Sequence, residues 1–154
     1  MFEGDVKITI NKILVFENND KDRTFYMRSM RPALGWAPHE NHFDEAHNYE
    51  QALRFADTNA GYYSGCVIGR IASFRDNLDI PPLTLEFVDR LVGQGIKHSA
   101  IAVISHDKVL VQKVRELHKT INTHYIPVSG TPSEVDSNRK EIDKFLFEYA
   151  HRLV

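Results

Sequence analysis

Residues 99–128 read SAIAVISHDKVLVQKVRELHKTINTHYIPV, and this stretch decides the fold. An apolar run of strand length, 99–104, passes through Ser105-His106-Asp107 into a segment with helical spacing. A second strand-like run, 124–128, follows. Upstream, 66–74 is a third run of the same kind, and its own helical segment contains Phe87, Val88, Leu91 and Val92. Downstream, Thr131-Pro132-Ser133-Glu134 opens a helix with a capping box and proline at its first position. Strands alternating with helices at this spacing are the sequence form of a parallel β-α-β-α-β-α unit. Pro127 cannot donate to a sheet ladder, which puts the last strand at an edge.

The first part of the chain reads differently. Val6, Ile8 and Ile10 alternate with polar residues, and the apolar run continues to Phe16, so 6–16 is a strand. Asn18-Asn19-Asp20-Lys21-Asp22 reads as a turn. Residues 24–29 then read as a second strand, hairpinned on the first. A long polar loop is expected over 31–48, with a short strand near Trp36. Asn48 with Gln51 three residues on caps the next helix, whose apolar side is Ala52, Leu53, Phe55 and Ala56. The expected fold class is therefore α/β, a mixed two- or three-layer sheet. An N-terminal β-hairpin plus helix (1–62) would join antiparallel to the parallel unit (63–154) in one domain, as the length of 154 residues allows.

Composition sets limits. The chain is 42% hydrophobic and 26% charged, with a formal net charge of −2, so nothing resembles the concentrated basic face that nucleic-acid binding needs. No apolar stretch approaches the about 20 residues of a membrane span. Cys66 is the single cysteine, which excludes an internal disulfide; it reads as a small core residue. The opening Met1-Phe2-Glu3-Gly4-Asp5 has no basic leader region. Together these features give the expectation of a soluble, cytoplasmic protein.

Ligands in open parallel sheets bind just beyond the carboxyl ends of the strands. By this reading those ends are Arg75-Asp76-Asn77, Ser105-His106-Asp107 and Ser129-Gly130-Thr131. A helix start offers unpaired N–H groups and partial positive charge, and small residues let a phosphate approach them. Ser129, Gly130 and Thr131 are thus candidate phosphate contacts, with Arg75 adding a bidentate anion contact. His106 is the candidate acid/base, with Asp76 or Asp107 as its partner. The expected function is binding of a phosphate-bearing small molecule or nucleotide, with hydrolysis or transfer as the candidate reaction. Asp107 and Thr131 are equally what helix caps look like when they do nothing else. No glycine-rich nucleotide loop and no nucleophile elbow is present, and neighbouring Ser105, His106 and Asp107 cannot form a triad by themselves. No motif settles whether the chain is an enzyme or names a cofactor. The alternative is a non-catalytic interaction or regulatory protein that uses the N-terminal part and its loop.

Two further features stand out. His39, His42 and His47, with Glu40, Asp44 and Glu45, are metal-ligating types, but their spacing fits no metal motif, and no metal site is expected. Phe147 falls opposite the apolar stripe of Ile142, Phe145, Leu146, Tyr149 and Leu153. An aromatic left outside is the expected contact of a homodimer through the C-terminal helix.

Overall fold

The computed structural model describes residues 12–37, 41–59, 63–69, 81–128 and 130–154. In chain order the elements are β1 (Lys12–Phe16), α1 (Asp20–Leu34), β2 (Phe43–Ala46), α2 (Tyr49–Asn59) and β3 (Tyr63–Ile68). Then come α3 (Pro81–Gly93), β4 (Ile101–Ser105), α4 (Lys108–Leu117), β5 (Asn122–Tyr125) and α5 (Pro132–Leu153). The strands form one sheet in the order β2-β1-β3-β4-β5, and every neighbouring pair is parallel.

Parallel sheets are covered on both faces, so their strands carry apolar side chains in both directions. β1 shows this most plainly. Leu14 and Phe16 point to the face covered by α2, α3 and α4, where they meet Ala52, Phe87 and Leu91. Ile13 and Val15 point to the opposite face, covered by α1 and α5, among Met30, Leu146 and Ala150. These four β1 side chains are fully buried. Each such side chain contributes about 1.5–3 kcal/mol relative to exposure.

The parallel unit expected from 99–128 is present, and the α/β class holds. The N-terminal hairpin does not. Residues 24–29 lie inside α1, and β2 pairs parallel to β1, with Ile13 opposite Phe43 and Phe16 opposite Ala46. The polar run after β1 is a helix start rather than a hairpin turn. Asn19 is the N-cap and accepts the Asp22 N–H, and Asp20 and Asp22 occupy the first turn, where the helix dipole favours negative charge. Tyr26, Met27, Met30 and Leu34 then form the buried stripe at helical spacing. Gly35, at φ 74°, ends the helix in the left-handed conformation, and Trp36 N–H reaches back to Arg31 O at 3.2 Å. The expected loop 31–48 therefore contains the end of α1 and all of β2. Residues 6–11, expected to lie in the first strand, fall outside the described residues.

Smaller differences follow the same logic. β3 starts earlier than expected, at Tyr63, and its last strand residue is Ile68; residues 70–80 lie outside the described set. β5 is Asn122–Tyr125, so Pro127 sits past its end, and β5 is nevertheless an edge strand. The prolines before α3 begin that helix, where a missing N–H costs nothing. On α4, Val111 is buried and Leu117 is exposed at the last turn, displaced from the expected core face; Leu110, Val114 and Ile121 are in the core. The cap signals hold. Asp107 Oδ1 accepts Leu110 N–H at 3.0 Å, and Asn48 Oδ1 accepts Gln51 N–H at 2.8 Å. α5 opens on the Thr131–Glu134 capping box and runs unbroken to Leu153.

Candidate functional site

The carboxyl ends of β1, β4 and β5 meet between α1 and α5, and a cleft of about 220 Å³ opens there. Its floor is Ile104 and Ile126, and its polar wall is Glu17, Asp22, Ser105, His106 and Arg139. Glu17 follows β1 directly and is only 2% exposed. Its carboxylate accepts the Asn19 N–H at 2.7 Å and the Tyr26 hydroxyl at 3.4 Å. Gly69, just past β3, packs so closely that a Cβ there would collide with Glu17 Oε1. Glu17 is thus seated where the sheet order reverses, between β1 and β3.

Beside it lies Arg23, 4% exposed, on the first turns of α1. Its guanidinium donates to Glu17 O at 2.7 Å, to Glu45 Oε1 at 3.1 Å, and to Asp20. The side chain is a strut tying the ends of β1 and β2 to α1. Its hydrogen bond and charge hold the Asp20 carboxyl below the usual carboxylate range.

At the end of β4, Ser105 Oγ accepts Asp107 N–H at 3.0 Å, and Asp107 caps α4. His106 Nδ1 lies 2.9 Å from Ile126 O. A carbonyl can only accept, so Nδ1 carries a proton and donates it to Ile126 O. At the start of α5, Glu134 Oε1 accepts from Thr131 N–H at 3.0 Å and from Gly130 N–H at 3.3 Å. The Thr131 hydroxyl and these two N–H groups hold the Glu134 carboxyl below its usual range. Arg139, farther along α5, sits over the Phe25 ring at 5.0 Å.

Among the described residues that the sequence singled out, His106 lines the cleft, with Ser105 before it. Asp107 and Thr131 cap helices beside it, Gly130 donates its N–H to Glu134, and none of the three lines it. Arg75, Asp76 and Ser129 lie outside the described residues. Glu17, Asp22 and Arg139 were not read as site residues. The signal for the first two was present: Glu17-Asn18-Asn19-Asp20 is a polar strand end like the others, hidden once it is taken for a hairpin turn. In the histidine-rich segment, His42 stacks on Trp36 with centroids 4.4 Å apart, and His47 N–H is accepted by Gln51. His39 and Glu40 are outside the described residues. Cys66 is buried in the core, which pushes its thiol up.

No protein-family model and no curated protein matches the chain. Solved structures do. A de novo designed Rossmann 2x3 fold protein superposes with a TM-score of 0.57 at 7% identity, covering 87% of this chain and 84% of the other. The flavodoxin-like domain of a Synechococcus sp. protein gives 0.54 at 11% identity, covering 92% and 98%. A diflavin flavoprotein A3 from Nostoc sp. gives 0.54 at 13% identity, covering 94% of each chain. At these identities the likeness is one of fold: a five-stranded, parallel, flavodoxin-like α/β sheet.

Proposed function

We propose that this chain is a non-catalytic regulatory or interaction module on a flavodoxin-like sheet, working in a reducing, cytoplasmic setting. One observation carries the reading. The groups that would do chemistry at the carboxyl edge are engaged in holding the edge together. His106 Nδ1 serves Ile126 O, Asp107 caps α4, and Thr131 and Glu134 serve each other and Gly130. Helix N-termini that elsewhere hold phosphates are here filled by the chain's own side chains. The first turn of α1 adds Asp20 and Asp22 beside buried Glu17, so the loop after β1 repels an anionic group. The flavin named for one structural neighbour carries such a group when it is a mononucleotide, and this loop does not suit it.

The second reading is that a phosphate-bearing small molecule or nucleotide binds in the cleft, with hydrolysis or transfer as the reaction. Arg139 and the His106 ring on the cleft wall favour it. Arg75, Asp76 and Ser129 are the further residues it would use.

Thermal unfolding against flavin mononucleotide, ATP, ADP and inorganic phosphate, each with and without Mg²⁺, separates the two. A ligand at about a hundredfold its Kd raises Tm by about 5–10 °C for a chain of this size. The proposal expects no such shift from ligands at the carboxyl edge. A shift abolished by Arg139→Gln or by His106→Gln would overturn it in favour of the second reading. The proposal also includes self-association through α5, where Phe147 is 44% exposed and stacks on His151. Sedimentation of wild type and Phe147→Asp tests this: a dimer converted to monomer is expected, and a monomeric wild type removes that part.

A further inference from the structure

At the opposite end of the sheet, two cations line a second pocket. At the amino ends of β3 and β4, a pocket of about 450 Å³ opens between the loop after α3 and the last turn of α5. Lys97 and Arg152 face it, the hydroxyl-bearing Ser64 and Ser99 line it, and Ile96 and Leu153 supply an apolar side. Among the described residues, no carboxylate side chain lines it. Among the described residues neither Lys97 nor Arg152 takes part in an ion pair.

Arg152 is nevertheless held in place. Its guanidinium donates to Asn122 Oδ1 at 2.7 Å. Asn122 in turn donates its amide to Ser99 O at 3.0 Å and Ile101 O at 3.1 Å. These two backbone carbonyls therefore orient the Asn122 amide, and its oxygen orients the arginine. A neutral acceptor leaves the full positive charge in place, with further N–H donors of the planar fork unspent. The neighbouring carboxylates are already matched: Asp44 by Lys12 at 3.0 Å and the Tyr63 hydroxyl at 2.6 Å, and Asp57 by Arg90 at 2.6 Å. Gly95, at φ 94°, turns the chain at the C-terminus of α3 so that Ile96 and Lys97 run along the pocket wall.

The geometry points to an anion-binding site here, for a small molecule bearing a phosphate group that the Arg152 fork and the Lys97 ammonium clasp together. The Ser99 hydroxyl supplies a further donor, and Ile96 and Leu153 contact a short apolar body. This site is separate from the carboxyl-edge cleft, and its occupancy does not depend on the reading given for that cleft.

The test is titration of the full chain with inorganic phosphate and with glycerol phosphate, followed by amide chemical shifts at constant ionic strength. Malonate serves as the carboxylate comparison. Saturable shifts centred on residues 95–99 and 152–153 are expected, tighter for glycerol phosphate than for malonate. Lys97→Gln and Arg152→Gln should each weaken binding by about tenfold or more, since each removes a charged hydrogen-bond donor. Arg139→Gln, at the other end of the sheet, should leave binding unchanged. Lys97 is exposed, so Lys97→Gln gives a result even if Arg152→Gln unfolds. Non-saturating shifts shared by wild type and both variants would overturn the site. So would shifts that vanish in Arg139→Gln while persisting in Lys97→Gln. Malonate binding as tight as glycerol phosphate would overturn the phosphate assignment.

Discussion

The two ends of the sheet differ in what their polar residues do. At the carboxyl end, charged groups are numerous and mostly satisfied by one another. Glu17 accepts from Asn19 and Tyr26, Arg23 spans three acceptors, and Asp107 and Glu134 close helix starts. At the amino end there are fewer charges, and Lys97 and Arg152 have no carboxylate partner among the described residues. Counting polar residues at a strand end therefore misleads. What matters is whether the fold has already used their hydrogen-bonding capacity, because a group committed to a cap or strut gains little from a ligand.

The comparison breaks most readily at Arg23. If it is a strut, Arg23→Met removes the guanidinium that donates to Glu17 O and that Glu45 and Asp20 share. A loss of about 2–3 kcal/mol is expected in urea unfolding, less than for a fully enclosed pair because both carboxylates reach solvent. A loss below about 0.5 kcal/mol would mean that the carboxyl end is not held this way.

β3 permits a matched pair of substitutions. Gly69 at its carboxyl end meets Glu17 and Tyr26, and Gly65 near its amino end meets Tyr149, Leu153 and Ala100. Each glycine to alanine change overpacks its end, and about 1–3 kcal/mol is expected for either. Gly65→Ala should also displace the Tyr149 hydroxyl from Ala100 O, now 2.6 Å away, and perturb the shifts of Arg152. Equal stability of wild type and Gly69→Ala would show that Glu17 is free to move aside.

Tyr149→Phe removes that hydrogen bond and the hydroxyl's bond with the Cys66 backbone, leaving Ala100 O to find another donor. A loss of about 1 kcal/mol is expected, with the sheet intact by circular dichroism. An unchanged midpoint would mean that the contact contributes nothing to the amino end.

The smallest effect is a pH dependence. Glu134 is held below the ordinary carboxylate range in the folded chain by the Thr131 hydroxyl and the N–H groups of Gly130 and Thr131. A depressed folded value means that its contribution is present above the ordinary range and is lost as pH falls through the depressed value. Glu134→Gln should therefore lower Tm slightly at pH 7 and converge with wild type near pH 3. Parallel curves at all pH values would contradict the capping role.

How much was legible follows from the range of each signal. Asp107, Asn48 and Thr131-Pro132-Glu134 were readable because a cap bonds to an N–H three residues on. The same rule failed at Asn19, where a polar run could be either turn or cap, and the choice of turn converted α1 into a strand. Of the candidate residues, His106 lines the carboxyl-edge cleft, as its place at the end of β4 leads one to expect. Arg139 and Glu17 were missed because the former lies mid-helix and the latter followed a strand thought to turn back. Arg23, flanked by Asp22 and Thr24, looks like any surface arginine until Glu45 is brought beside it by β2.

Sequence alone determined the alternation of strands and helices from β3 onward and the helix starts at Asn48, Asp107 and Thr131, since these are set by contacts within a few residues. Only the tertiary structure decided that β1 and β2 pair in parallel, that β5 lies at the sheet edge, that Glu17, His106 and Arg139 share a cleft, and that Lys97 and Arg152 face one pocket. Those facts depend on pairings between residues tens of positions apart, and hydrophobic periodicity specifies which face of an element is buried without saying against which partner.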